Sequence, residues 1–325
     1  MGREPVRPTG TAEQTAAAPK RAAPPGRRRG RETALGLRTL LLFGGPFAVL
    51  FAAMYIAPLL YATVSSLFVV KRSGLGLAPP TREFEPLHNF AQAFGDHDFL
   101  GALARVGLFA VVQVPLMLGV ALGLALLLDS RSARAKGFFR LGAFLPYAIP
   151  GVSAALVWSF MYSSESSPIN HLLEPLGVRI PFFADGAVLW SVANIVTWSW
   201  TGYNMIIIYS ALQTIPAEVL EAAKMDGASA LRIAWSVKIP AVRSSLVLTT
   251  VFSIIGSAQL FNEPAVLQPI SGGAISSAFT PIMSAQAAVA AGNYPYAAAQ
   301  SVVLALTVGV LSFVFFKLTS RGENA

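Results

Sequence analysis

The sequence predicts an all-α membrane protein of six transmembrane helices, on three observations. Of 325 residues, 54% are hydrophobic and 12% charged, where a soluble domain carries about 25% charged residues. The apolar residues gather into blocks long enough to cross a hydrocarbon core, which takes roughly 20 helical residues. Those blocks are continuous runs, unlike the alternating ten-residue segments of a strand barrel.

Taken in order, the chain opens with a basic tail, residues 1–38, rich in Ala, Pro, Thr and Gly and without apolar period. Such a segment buries too little to order itself and is expected to be disordered. Its basic region is too long for a cleaved signal peptide, and the apolar run behind it is of spanning length. Residues 39–325 form the spanning domain, with blocks at Leu40–Val70, Leu100–Leu128, Phe138–Tyr162, Val188–Leu212, Leu246–Leu267 and Ala297–Phe316. Pro146, Pro150, Asn262 and Pro264 interrupt or end the third and fifth. Proline is tolerated there where neighbouring helices or cavity waters satisfy the freed carbonyls.

Orientation follows from the basic residues. With the N-terminus in the cytoplasm, six spans return the C-terminus there. That side then holds nine Lys and Arg in the tail to Arg38, four from Arg131 to Arg140, four from Lys224 to Arg243, and Lys317 with Arg321. The other side keeps five: Lys71, Arg72, Arg82, Arg105 and Arg179. This sidedness also accounts for the net charge of +8 without nucleic acid. The run Arg27–Arg31 precedes the first span and reads as a topology signal attracted to anionic lipid.

Much chemistry is excluded. There is no cysteine, hence neither disulfide nor thiolate metal site. His97 between Asp96 and Asp98 reads as a solvated turn, because no second ligand cluster supports a metal. No Gly-rich phosphate loop followed by Lys-Ser/Thr occurs, so the chain is expected to bind neither ATP nor another cofactor itself. Ser163–Ser167 offers hydroxyls without a nearby base. Ionisable groups, which mark ion pathways inside membranes, are nearly absent from the blocks, with Glu263 and Arg105 expected at outer ends.

The polar content at depth is neutral. In the fourth block Asn194, Trp198, Trp200, Tyr203 and Asn204 stand among aliphatics, and Trp200, Tyr203 and Asn204 share a face by i, i+3, i+4 spacing. In the fifth, Ser253 and Ser257 share a face, with Gln259 and Asn262 further on. Aromatic platforms covering C–H surfaces, beside amides and hydroxyls, suit an uncharged polyhydroxylated ligand. Interhelical packing and interfacial anchoring are the competing roles for the same residues.

Between these blocks lies a polar, helix-prone loop, residues 213–243. Pro216 can open a helix, Glu218 suits its positive end, and Gly227 is a natural left-handed stop. Ser229 is a candidate cap for a second short helix over Ala230–Val237, before Pro240. Leu220 and Ala223 are expected to face one way.

The pattern E-A-A-x-x-D-G-A at Glu221–Ala228, with Pro240 thirteen residues after Gly227, resembles the signature of permease subunits of binding-protein-dependent ABC importers. The carbohydrate and glycerol-phosphate branch, which includes the maltose-type permeases, is the nearest in pattern. P-x-E-x-x-E-A-A at Pro216–Ala223, F-N-E-P at Phe261–Pro264 and G-N-Y-P-Y-A-A-A at Gly292–Ala299 add to it, and the resemblance runs from about Leu40 to the C-terminus. It implies that Glu218, Glu221, Ala222, Ala223, Asp226, Gly227 and Ala228 form a coupling helix seated in a cleft of an ATPase subunit. It implies a second permease, two ATPase copies that bind ATP and Mg, an extracytoplasmic binding lipoprotein, and residence in a bacterial plasma membrane. Tyr203, Ser253 and Ser257 match sugar-contact positions, and Trp198, Trp200, Asn204 and Gln259 complete the expected set. The chain departs from the pattern at Ala234, where an aromatic is common; Trp235 follows it.

The function expected is therefore a non-enzymatic permease subunit of an ATP-driven sugar importer. Alternatives are a permease for a glycerophosphodiester or other small solute, and a stand-alone secondary carrier. A phosphate ligand would call for Arg or Lys at depth and ion coupling for a buried acid. Neither is evident in the blocks.

Overall fold

A computed structural model of the chain describes residues 2, 29–71, 81–130, 133–163 and 166–320. Most of the basic tail therefore lies outside the described residues, but α1 (Arg29–Phe51) begins within the segment expected to be disordered. A π-helical turn, Ala52–Ile56, and α2 (Ala57–Ser65) continue it, so that Arg38–Ser65 is helical and apolar throughout. Two compact units are distinguished, Met1–Pro58 and Leu59–Ala325.

In the second unit a short antiparallel hairpin pairs β1 (Phe68–Lys71) with β2 (Thr81–Phe84), Phe68 opposite Phe84. Helices α3 (His88–Gly95) and α4 (His97–Asp129) follow, then α5 (Lys136–Ala148), α6 (Gly151–Tyr162), α7 (Pro168–Leu173) and α8 (Val188–Leu212). The loop carries α9 (Ala217–Met225), α10 (Ala230–Ile233), a π-helical stretch Ala234–Lys238 and α11 (Ile239–Ala241). The chain ends with α12 (Arg243–Ala258), α13 (Asn262–Leu267), α14 (Pro281–Ala290) and α15 (Tyr294–Ser320).

Among the described residues, four helical stretches are long and apolar enough to cross a membrane, Arg38–Ser65, His97–Asp129, Arg243–Ile270 and Tyr294–Thr319, and up to six if each bent pair counts as one span. The third block is such a pair: α5 and α6 meet at 96°. The break falls at Ile149 and Pro150, both extended, because proline disfavours helical backbone in the residue before it. α8 and α9 bend by 77° where the fourth block gives way to the loop.

The assembly is organised on α8, which packs along α4 and against α5. Lipid tails are as apolar as leucine, so spans associate through close packing and favour small residues where they touch. Ala121 and Ala125, one turn apart on α4, are fully buried in a cluster with Met205, Ile208 and Leu212 of α8. Towards the other end of the same helices, Phe109 joins Val188, Val192 and Ile195, with Leu260 and Met283 from further along the chain. Tyr162 belongs to this second cluster and stacks on Phe182 at 4.5 Å.

Gly202 marks the closest approach. A Cβ there would stand 1.8 Å from the carbonyl oxygen of Ala143 and 2.9 Å from the Cα of Phe144. Only glycine lets the α5 backbone reach α8. Elsewhere Asp96 caps α4, accepting bonds from the Asp98 and Phe99 amides at 2.9 and 3.1 Å, and receives the Tyr296 hydroxyl of α15 at 2.5 Å. Partial burial pushes the Asp96 carboxyl up, but the bonds from Tyr296, Phe99 and Asp98 outweigh it and hold the group below its usual value.

Two outcomes are expected in thermal unfolding of the detergent-solubilised chain. Gly202→Ala destabilises by about 1–3 kcal/mol or more, the usual cost of overpacking, whereas Gly142→Ala, with open space around it, changes little. Asp96→Ala costs about 1–2 kcal/mol through the lost cap. Because the folded Asp96 titrates below its unfolded value, this contribution is present at neutral pH and fades as pH falls through the depressed value. The gap between wild type and Asp96→Ala therefore narrows in acid.

Candidate functional site

The two apolar clusters leave a polar interval between them. On α8 one cluster ends at Ile195 and the other begins at Met205, and Trp200 stands at the midpoint of the helix. Between the clusters opens a cavity of about 280 Å³, near the lower end of the roughly 300–1,000 Å³ of small-molecule sites. Of the residues anticipated from sequence it brings together Trp200, Tyr203 and Asn204 from α8 with Ser253, Ser257 and Gln259 from α12 and its C-cap.

The aromatic side is built as a unit. Tyr147 of α5 stacks on Tyr203 at 4.7 Å and meets Trp200 edge-on at 5.2 Å, while Trp200 and Tyr203 lie perpendicular at 5.9 Å. The Gly202 contact makes this possible, since it sets the α5 backbone within reach of the residues on either side of it. Asn204 is oriented from within, its Nδ2 donating to the Trp200 carbonyl at 3.0 Å.

Trp198 stands apart from the cavity, contrary to expectation. Two residues before Trp200, it is turned about 200° around the helix. It meets Trp158 edge-on at 5.7 Å. Asn194 lies with it, its Nδ2 donating at 2.7 Å to the Tyr162 hydroxyl, which itself donates to the Ser191 carbonyl. This aromatic group fastens α6 to α8.

Two polar lining residues were not anticipated from sequence. Gln113 of α4 is buried against the cavity, its Nε2 donating to Thr197 Oγ1 at 3.3 Å and to Met117 Sδ at 3.4 Å. Its signal was present: it is the one amide in a long apolar block. Glu263, expected at an outer end, also lines the cavity. α12 stops at Ala258 and the chain restarts as α13 at Asn262; this break puts Glu263 in the first turn of α13, beside Gly151 of α6. Arg105 is engaged elsewhere, donating to the Phe279 carbonyl at 2.8 Å with its guanidinium 4.9 Å from that ring.

At the C-terminal end of α8 the loop forms the second part of the site. Pro216 caps α9, and Gly227 ends it at φ +75°, a conformation costly for residues with a Cβ. The Ser229 hydroxyl accepts from the Arg232 amide at 3.3 Å. The second helix, expected to Val237, is α-helical only to Ile233 and then widens into a π-turn through Ala234 and Trp235. Leu220 and Ala223 are half-buried, while Glu218, Glu221, Ala222, Asp226 and Gly227 are exposed and Ala228 is half-buried. Val219, Met225, Leu231 and Trp235 also leave large apolar surface uncovered.

A polar joint ties this loop to the helices. Asp129, the last residue of α4, pairs with Lys238 of the π-turn and accepts from Gln213 Nε2 of the α8 C-cap at 2.7 Å. Both charged side chains are largely buried, 13% and 15% exposed, so removing one leaves the other poorly solvated.

The architecture is mostly helical and multi-pass, with an ordered polar loop between two spans. Residues 115–321 match the family described as binding-protein-dependent transport system inner membrane component, and the chain belongs to that family. It is 33% identical to the lactose transport system permease protein of Rhizobium radiobacter, over 85% of this chain and 92% of the relative. It is 31% identical to the diacetylchitobiose uptake system permease protein of Streptomyces coelicolor, over 97% and 92%. In fold it is similar to a chain of a bacterial ABC transporter involved in the import of the acidic polysaccharide alginate, with TM-score 0.74 at 17% identity, covering 90% of this chain and 99% of that one.

Asp129→Asn is expected to loosen the loop without unfolding the helices. Hydrogen exchange across residues 213–241 speeds by about tenfold, corresponding to ~1.4 kcal/mol, the scale of a lost charge-assisted bond, while protection in α4 and α8 is held. Uniform loss of protection would instead make the joint part of the global fold.

Proposed function

We propose that this chain is a permease subunit of an ATP-driven carbohydrate importer, forming half of the translocation pathway. The observation that carries this reading is the cavity at the midpoint of α8, lined by Trp200 and Tyr203 together with Ser253, Ser257 and Gln259, with the Tyr147 ring stacked behind Tyr203. Aromatic faces cover the C–H surfaces of a sugar ring, and amides and hydroxyls exchange bonds with its hydroxyl groups. The lactose and diacetylchitobiose permeases among its relatives support the substrate class.

The loop does the coupling in this reading. α9, with Glu218, Glu221, Ala222 and Ala223, and the turn at Asp226, Gly227 and Ala228 present an exposed surface to a cleft of an ATPase subunit. ATP and Mg are bound and hydrolysed there, not in this chain. A second permease completes the pathway, two ATPase copies drive it, and an extracytoplasmic binding lipoprotein delivers solute. The excess of Lys and Arg on the loop side supports cytoplasmic termini. Closure of the ATPases draws the loops together, and the Asp129–Lys238 joint passes the displacement to α4 and α8.

Glu221→Ala and Gly227→Pro are expected to insert normally and to reduce sugar uptake more than tenfold, with ATP hydrolysis no longer stimulated by loaded binding protein. Normal uptake by both variants removes the coupling assignment. Tyr203→Ala lowers uptake while the complex still co-purifies; unchanged uptake kinetics take Tyr203 out of the pathway.

A further inference from the structure

The charge and hydrogen-bond polarity of the cavity carry a statement about substrate that its aromatic platform does not. Among the described residues lining it there is one acid, Glu263, and no lysine, arginine or histidine. None of the ion pairs formed by the described residues includes Glu263. Carboxylates withdrawn from water are normally paired or hydrogen-bonded. Its Oε1 lies 3.6 Å from the position of a Cβ on Gly151, the first residue of α6, with Asn262 Nδ2 3.8 Å from the same point. The side chain is therefore held at a packed junction of α6 and α13.

Two of the lining amides use their donors within the protein. Gln113 uses its Nε2 on Thr197 and Met117, and Asn204 uses its Nδ2 on the Trp200 carbonyl. The Gln113 Oε1 is buried and has no partner among the described residues. These two amide donors are thus engaged within the protein, while the Glu263 carboxylate has no lysine, arginine or histidine beside it among the described lining residues. Hydroxyl groups of a solute can donate to that carboxylate. A phosphate, sulfonate or carboxylate brings further acceptors and a charge of the same sign.

We propose that Glu263 is a charge filter: it makes the pathway selective for uncharged polyhydroxylated solutes and closes it to anionic sugars and sugar phosphates. The proposal rests on the reading of the cavity as the substrate pathway and adds a specificity-determining residue to it. Like charges a few ångströms apart in an environment of intermediate dielectric repel strongly enough for a discrimination of about tenfold or more.

The test uses the full chain, purified with its co-purifying subunits in lipid nanodiscs and followed by the fluorescence of Trp200 and its neighbours. The probes are lactitol and maltitol against lactobionate and maltobionate, pairs in which a hydroxymethyl group is replaced by a carboxylate. Wild type is expected to bind each alditol at least tenfold more tightly than its aldonate. Glu263→Gln narrows the gap to within about threefold, chiefly by improving aldonate binding, and Glu263→Asp, which keeps the charge, preserves it. An unchanged gap in Glu263→Gln, or aldonates bound as well as alditols by wild type, overturns the filter. If alditol binding is also lost in Tyr203→Ala, the cavity reading survives that failure. Alditol binding indifferent to Tyr203→Ala overturns the cavity reading itself, and binding of no probe overturns both.

Discussion

The contact between Gly202 of α8 and the Ala143 carbonyl of α5 is the constraint on which the site depends. Helices in lipid gain nothing from hiding leucine from hydrocarbon, so what holds them is the depth to which one backbone enters the groove of another. A glycine at the midpoint of α8 gives that depth where side chains would otherwise prop α5 away. The stack of Tyr147 on Tyr203 follows directly, since the two rings stand beside the point of closest approach. The residue that brings the aromatic wall together has no side chain of its own.

From the same helix follows the division of the interior into apolar, polar and apolar layers. α8 contributes Val188, Val192 and Ile195 to one cluster and Met205, Ile208 and Leu212 to the other. The intervening turns carry Trp200, Tyr203 and Asn204. α4 repeats the order, with Phe109, then Gln113 and Met117, then Ala121 and Ala125. The clusters fill the ends with apolar packing, and polar groups between them can remain unpaired within the protein at a cost a ligand would offset.

Much of this was legible in the residues, and the exceptions have physical causes. The blocks, the loop, its glycine stop and the Ser229 cap all depend on local pattern, which sequence carries directly. The face formed by Trp200, Tyr203 and Asn204 followed from i, i+3, i+4 spacing. Trp198 was misplaced because residue type was weighed above its angle on the helix, which sends it to Trp158. Glu263 was not expected at the cavity because its position was read along the span alone, whereas the cavity is also lined by the segment after α12, where α13 begins. Tyr147 and the Asp129–Lys238 pair could not be read at all: each joins residues distant in sequence, 56 and 109 positions apart.

That pair bears on how the loop is tied to the helices that line the cavity. Helix α9 is exposed over most of its length, and a loop fixed only by its chain ends would absorb a push by bending at its glycine. Lys238 instead meets Asp129 at the end of α4, and Gln213 at the end of α8 shares the same carboxylate. α4 and α8 are the helices that pack most extensively on one another and that carry Gln113 and Tyr203 at the cavity. The loop is thus tied to both helices through one side chain. The stiff, small-residue packing of Ala121 and Ala125 on α8 lies between that joint and the cavity, and favours movement of the two helices as a body over local yielding.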